Sequence, residues 1–400
     1  MFAMKVGIDI AVLASSKGSI QAGLYYYQLH LTKALTRVMP ASDLYLVVTG
    51  TEGDAARKAS ISSGIASLVD SPVRVATVPT SFRRPYRLRR WWARRRFALN
   101  GLDVFLGLME YDLPLPSRVT QCFLVPDLTI LNAAEHHPDA HRAGIDGVYK
   151  AVKRQADLVI TYSEHTRGDI ATTLGIPLDR IVAIPLAAGD EFRPLPAEFV
   201  ASALAPLGLT PGGYLLTVGT IEPRKNHLTL FRAFAEYLSH PGVPRLPLVI
   251  AGGGGWMNEA IYAEPAQLGI ADLVKFVGRV PDLAPLYAGA AAMVYPSFYE
   301  GFGLPPLEAM ACGCPVITSN ATSLPEVVGD AGLTVDPKDV AGFAEAIRRV
   351  ATDPALRAEL SARGLARSAL FTWGETARRY LEAFRVAVER KRQETAGRNS

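Results

Sequence analysis

The amino-acid sequence predicts an α/β protein made of two doubly wound domains that face each other across a cleft. Three observations carry that expectation. Short apolar runs alternate with segments of helical period along most of the chain, the pattern of βαβ units and of parallel sheets covered on both faces. The alternation stops in residues 185–211, which hold Pro185, Pro194, Pro196, Pro206 and Pro211 and little strand character, and then restarts. The chain has 400 residues, long for one core and typical of two domains.

In the first half, residues 5–12, 44–49, 73–78, 104–108, 121–125, 158–161 and 181–184 read as strands. Helical patterns at 24–38, 147–155 and 165–174 lie between several of them. In the second half, strands at 214–218, 246–251, 274–277, 292–295 and 316–318 alternate with helices at 228–238, 258–268, 283–290 and 307–312. Residues 339–350 and 354–391 are helical by period, and 394–400 read as a frayed end. Two open parallel sheets bind ligands at the carboxyl ends of their strands, which places the expected site between the domains.

Composition excludes several classes. With 49% hydrophobic and 20% charged residues the chain reads as globular and soluble, and its 28 prolines and 34 glycines form no low-complexity tract. No apolar run approaches the roughly 18 residues that span a bilayer, and the N-terminus reads as a first strand rather than a signal peptide. Cys122, Cys312 and Cys314 have no zinc-type spacing and fit a reducing cytoplasm. The net charge of +4 is uneven. The first 200 residues carry 23 Lys and Arg against 19 Asp and Glu, whereas the last 200 carry 19 of each. Residues 83–96 alone hold eight arginines and no acid.

The segment Glu300-Gly-Phe-Gly-Leu-Pro-Pro-Leu-Glu308 is the most informative stretch. Gly301 and Gly303 permit close passage of backbone past a ligand, and Pro305 or Pro306 suits the first turn of a helix. Glu300 then sits on a loop and Glu308 on the first turn of helix 307–312, both facing a helix N-terminus where an anion is favoured. Acceptors on either side of a positive dipole suit a nucleotide sugar, with hydroxyls on both sides of a phosphate. Gly219-Thr-Ile-Glu222-Pro-Arg224-Lys225-Asn226-His227 follows a strand and opens a helix. Its adjacent cations can neutralise a diphosphate, or form a solvated basic turn. Gly252 and Gly253 begin a glycine run after another strand, which either admits a ligand to the backbone or makes a tight turn. Gly18-Ser-Ile-Gln-Ala-Gly23 follows the first strand and can make room for a phosphate or sugar. There is no GxxxxGK[ST] phosphate loop and no Asp-x-Asp metal motif. His136 and His137 are adjacent and point to different sides, which fits structural or solvent roles.

Together these residues resemble the retaining, nucleotide-sugar-dependent glycosyltransferases of the GT-B fold, specifically glycosyltransferase family 4, also called group 1. Glu300 through Glu308 is similar to that family's E-x7-E motif. Gly313-x-Pro315-Val316-Ile317 and Leu324-Pro-Glu326-Val-Val-Gly329-Asp330-Ala-Gly332 are similar to the stretch that follows it. The resemblance is sharp over 214–340 and looser over 1–200. It implies two Rossmann-like domains: residues 1–190 for the acceptor, 191–372 for the donor, and a helix in 373–400 crossing back to the first domain. It also implies that Arg224 and Lys225 grip the donor diphosphate, that Glu300 holds hydroxyls of the transferred sugar and that Glu308 accepts from the ribose. Phe302, Gly303 and Leu304 would touch phosphate or sugar, Gly219 belongs to the phosphate-binding turn, and Gly252, Gly253 and Val280 lie where the family holds the base. Gly23 matches a first-domain glycine near the diphosphate. The expected chemistry is front-side displacement with retention, with no metal and no cofactor beyond the donor, a GDP- or UDP-sugar. The flavour is that of hexosyltransferases making bacterial surface polysaccharides, with mannose from GDP-mannose preferred.

Two departures stand out. Pro126-Asp127 occupies the place where the family commonly carries His-Asp. Proline supplies no imidazole, whereas Asp127 can orient acceptor or sugar. Gln21-Ala-Gly23-Leu-Tyr25 stands where relatives carry a tighter glycine pair followed by Arg-Tyr. The arginine-rich segment interleaves cations with aromatics, including Arg89, Arg90, Trp91, Trp92 and Arg94. Such a stripe suits an anionic membrane surface or a polyprenyl-diphosphate-linked glycan acceptor. It is also compatible with a solvated helix, and less with nucleic acid. The expectation is a cytoplasmic enzyme, peripheral at the inner face of the membrane, that binds no nucleic acid. Its alternatives are a nucleotide-sugar-binding scaffold without activity and a soluble-sugar synthase or phosphorylase.

Overall fold

The computed structural model describes residues 4–13, 22–49, 74–78, 101–108, 115–142 and 145–397. It has two parallel sheets. The first contains β1 (Val6–Asp9), β2 (Leu44–Thr49), β3 (Arg74–Val78), β4 (Val104–Leu108), β5 (Thr120–Leu124), β6 (Leu158–Thr161) and β7 (Ile181–Ala183), in the order β3-β2-β1-β4-β5-β6-β7. The second contains β8 (Leu215–Val218), β9 (Leu248–Ala251), β10 (Val274–Gly278), β11 (Ala292–Tyr295), β12 (Val316–Ser319) and β13 (Leu333–Val335), in the order β10-β9-β8-β11-β12-β13. The fold class read from the alternation is the one observed.

The strands are short, mostly apolar runs with a few small buried polar residues such as Thr217 and Thr318, the composition of a sheet covered on both faces. All four residues of β1, β6, β8, β9, β11 and β12 are buried. Strand order reverses between β1 and β4 in one sheet and between β8 and β11 in the other. At such a switch point neighbouring loops leave in opposite directions and open a crevice at the carboxyl ends. The loops after β8 and β11 are those carrying Arg224, Lys225 and Glu300.

Several boundaries differ from expectation. Residues 5–12 hold a shorter strand, because the chain turns at 11–13. The stretch 185–211 contains a helix, Ala197–Leu204, that buries Val200 and Leu204. β13 is a short edge strand with no residue fully buried, so it lacks an apolar run to announce it. The helix expected over 307–312 begins at Leu304, since Pro305 and Pro306 both fit its first turn, where no N–H is needed. Glu308 therefore lies on the second turn rather than the first. The period read through 354–391 is interrupted. Helix Pro354–Ser368 ends, and a separate helix runs from Trp373 to Gly397, past the point where fraying was expected.

That last helix lies on the first sheet's side. The hydroxyls of Tyr27 and Tyr380 are 3.0 Å apart and buried. Thr376 Oγ1 donates to the Pro185 carbonyl at 2.8 Å, and Arg379 to that of Ala183 at 2.9 Å. Lys391 Nζ pairs with Asp157 at 2.5 Å. No helix among the described residues is long and apolar enough to cross a membrane.

Candidate active site

The site is assembled where the loops after β8 and β11 meet. Their backbones are joined by the Phe298 N–H, which donates to the Arg224 carbonyl at 2.9 Å. Asn226 adds a brace: its side-chain amide donates to the carbonyls of Pro296 at 2.9 Å and Pro337 at 2.6 Å, while its backbone takes φ 58°. Gly219 has φ 150°, and a Cβ there would press on Lys225 Cε at 3.4 Å.

Glu300 bridges the two cations. Lys225 Nζ donates to its Oε1 at 2.6 Å, and Arg224 approaches its Oε2 at 2.9 Å. The Tyr295 hydroxyl, at the end of β11, donates to Oε1 at 2.9 Å. Arg224 is further held by Glu222, with Nε at 2.9 Å from Oε1, and by the Tyr299 carbonyl, which accepts at 2.7 Å. Lys225 Nζ also donates to the Tyr295 hydroxyl at 2.5 Å. Arg224 Nη2 also lies 2.6 Å from Glu222 Oε1. An ammonium has three N–H donors and a guanidinium five, so among the described residues these contacts leave one on each cation for a further anion.

Electrostatics follow from burial and pairing. Burial alone would raise the Glu300 carboxyl, but the Arg224 and Lys225 charges overcome it and hold the group down to about 2. Burial opposes the charge of Arg224, yet Glu300 and Glu222 raise its affinity for the proton. Lys225 is pushed down by burial and by Arg224 beside it. Glu308 behaves oppositely. It is buried with no cation partner among the described residues and accepts from the Tyr287 hydroxyl at 2.9 Å. Burial lifts its carboxyl to about 7, with the charge of Glu191 adding to the rise. The two glutamates of the E-x7-E spacing thus occupy different electrostatic settings.

The first domain approaches this loop closely. A Cβ on Gly301 would collide with the Pro126 carbonyl oxygen and come within 2.8 Å of Asp127 Cβ. Asp127 Oδ1 accepts from the Thr129 N–H at 2.9 Å, and burial raises its carboxyl against the Arg224 charge. Asp127 therefore stands beside the Glu300 loop. Trp256 Nε1 donates to the His136 carbonyl at 2.7 Å, and the His136 ring stacks on Phe298 with centroids 4.9 Å apart. His137 is buried, 3.3 Å from Thr129 Oγ1, and burial pushes its imidazole down to about 4. The two histidines line the contact between the domains.

The remaining expected residues divide. Gly303, with φ 116°, starts the helix Leu304–Ala311, and Phe302 is buried against Phe371. A Cβ on Gly252 would overlap the Gly219 carbonyl, and one on Gly253 would meet Arg279 Nε at 2.6 Å. The space at these two glycines is therefore filled by the protein itself. Val280 is half-buried at the end of the same neighbourhood. Gly23 is exposed in the first turn of helix Ala22–Val38, and a Cβ there would meet nothing within 4 Å. Arg89, Arg90, Trp91, Trp92 and Arg94 lie outside the described residues. Sequence reasoning missed Glu222, which stands two residues before Arg224, and Tyr295, which is the last residue of β11.

Comparison with known proteins places this geometry. Residues 209–367 match the family model described as glycosyl transferases group 1. Over 275 residues the chain is 37% identical to O-antigen chain mannosyltransferase B of Escherichia coli, covering 68% of this chain and 72% of that protein. The chain belongs to the glycosyl transferases group 1 family. The glycosyltransferase is also 34% identical over 250 residues to the serotype-specific mannosyltransferase WbdA of Escherichia coli, of whose length the match spans 30%. Among solved structures, Anabaena Alr3699/HepE in complex with UDP and glucose superposes with TM-score 0.72 at 18% identity, covering 96% of this chain and 100% of that one. WaaG, a glycosyltransferase involved in lipopolysaccharide biosynthesis, does so with TM-score 0.67 at 15% identity, covering 94% and 98%. At those identities the likeness is one of fold, and the fold is GT-B.

The buried ion cluster makes stability depend on pH with a definite sign. Glu300 has a folded value of about 2 against an ordinary 4.5, so its contribution is present above pH 4.5 and is lost as pH falls toward 2. Thermal melts of wild type should fall through that window, and Glu300→Gln should show a shallower fall and a lower midpoint at pH 7. An equal slope in both proteins would remove Glu300 from the account.

Proposed function

We propose that the glycosyltransferase moves mannose from GDP-mannose to a growing surface polysaccharide or lipid-linked glycan, with retention at the anomeric carbon and without a metal ion. One observation carries the choice of mannose: the 37% identity to a protein named as an O-antigen chain mannosyltransferase. The donor class is supported by geometry. One N–H of Arg224 and one of Lys225 remain for phosphate oxygens, and the positive ends of two helices approach the same loop.

In this reading the donor diphosphate completes the coordination of the two cations and partly exchanges with Glu300. The carboxylate is then released toward the sugar hydroxyls that arrive with the phosphates. As the glycosidic bond breaks, charge accumulates on the leaving diphosphate, and cations already held in place stabilise it with little rearrangement. Asp127, beside Gly301, is placed to orient the acceptor. Pro126 offers no proton-transferring group, so the leaving phosphate itself takes the acceptor proton. Glu308 receives the ribose hydroxyls.

Purified enzyme should transfer mannose from GDP-mannose to a mannose-terminated glycan in the presence of EDTA, with the α-anomer of the donor kept in the product by NMR. Transfer from UDP-glucose alone would overturn the donor, an inverted product the stereochemistry, and abolition by EDTA the metal-free step. Glu308, raised to about 7, should pass from mostly protonated to mostly ionised between pH 6 and pH 8. Calorimetric affinity for GDP-mannose should therefore rise between pH 6 and pH 8 in wild type and stay level in Glu308→Gln; a level wild-type profile would count against the ribose role. The eight arginines of residues 83–96 support seating on an anionic membrane. Changing them to glutamine should weaken co-sedimentation with phosphatidylglycerol vesicles, and unchanged binding would sink that seating.

A further inference from the structure

We infer that Glu326 is a positioning residue for the reaction, tying the start of a first-domain helix to the loop that holds Glu300. Its carboxylate crosses between the domains. Oε2 accepts from the Glu164 N–H at 2.8 Å and Oε1 from the His165 N–H at 2.7 Å. These are the first two residues of helix Glu164–Leu174, whose early N–H groups have no partner inside the helix. A carboxylate there makes two charge-assisted bonds at the positive end of the dipole.

The same helix start grips the Glu300 loop. Ser163, its N-cap, donates through Oγ to the Gly301 carbonyl at 2.9 Å, and Thr166 Oγ1 approaches that carbonyl at 3.4 Å. One turn further on, Asp169 accepts from the Tyr299 hydroxyl at 2.5 Å. Residues on both sides of Glu300 are thereby bound to one helix of the other domain.

A second helix start holds the loop from its own domain. Ser323, the N-cap of helix Leu324–Val328, has its Oγ 2.8 Å from the Glu300 carbonyl and 2.7 Å from the Phe302 carbonyl, and its one proton is shared between them. Glu326 belongs to that short helix. Its backbone is anchored by Arg367, which donates to the carbonyls of Glu326 at 2.6 Å and Val327 at 3.0 Å. The loop Tyr299–Phe302 is thus held between two helix starts, one from each domain, and the Glu326 side chain joins those starts to each other. A displacement of about 1 Å in a catalytic group costs on the order of a hundredfold in rate. Glu300 depends on two cation contacts below 3 Å, so it is sensitive to any slack in this frame.

Glu326→Gln keeps the volume but leaves one acceptor and sets an NH2 donor against a backbone N–H. With GDP-mannose as donor, kcat should fall about tenfold while KM for GDP-mannose stays within about twofold, the split expected when a positioned group rather than ground-state binding is lost. Hydrogen–deuterium exchange on the ligand-free full chain should quicken about tenfold both at residues 164–166 and at 299–303. The exchange arm needs no donor, so it decides the matter even if wild type fails to turn over GDP-mannose, a failure that would fall on the donor assignment alone. Ser163→Ala provides a second, independent variant and should show the same paired quickening. Unchanged kcat with an active donor, or faster exchange confined to 164–166, would reduce Glu326 to an ordinary helix cap and overturn the inference.

Discussion

The site depends on one arrangement: a buried carboxylate, Glu300, shared between a guanidinium and an ammonium at the carboxyl ends of β8 and β11. Each member needs the others. Two adjacent cations out of water repel each other, and an isolated buried carboxylate would take up a proton. Glu300 between Arg224 and Lys225, with Glu222 behind Arg224, brings the formal charges into balance. The cations are thereby held in place by the protein's own carboxylates, and in the proposed reaction that preorganisation is what electrostatic stabilisation of a leaving group requires.

The sheet topology makes this arrangement possible. Strand order reverses between β8 and β11, so the loops that follow them diverge and leave a crevice instead of packing together. Small residues let other parts of the chain come close. At Gly301 no Cβ stands between the loop and the Pro126 carbonyl, and at Gly252 none stands between the glycine run and the Gly219 carbonyl. The second of these is a structural use of a glycine. The run after β9 is tight because two loops must cross, whatever ligand then lies over them.

The two glutamates of the E-x7-E spacing show how little residue type alone says about charge. Glu300 has cations within 3 Å that hold its carboxyl down to about 2, whereas burial, with the charge of Glu191, lifts the Glu308 carboxyl to about 7 against the Tyr287 hydrogen bond. Eight residues apart in the chain, they face different neighbours because a left-handed glycine and two prolines turn the backbone into a helix between them.

Much of this protein was legible in its sequence. Alternation of apolar runs with helical period located the strands, because a parallel sheet buried on both faces favours apolar residues along its strands. Gly219–Asn226 and Glu300–Glu308 stood out as charged, glycine-bearing segments after strands, and the structure brings those two segments together. β13 and helix Ala197–Leu204 were not legible, being too short to establish a period, and the period ran through the break at residues 369–372, which only the family resemblance marked by its separate helix in 373–400. What tertiary structure alone decided is which charges meet. Sequence placed Arg224 and Glu300 on separate loops some 75 residues apart and left Glu326 and Ser163 without roles. Only the packing of two sheets showed that Glu300 is spent on holding the cations, and that Glu326 reaches backbone N–H groups of the other domain. Local propensity depends on residues a few positions away, whereas ion pairing and burial depend on neighbours that chain order does not reveal.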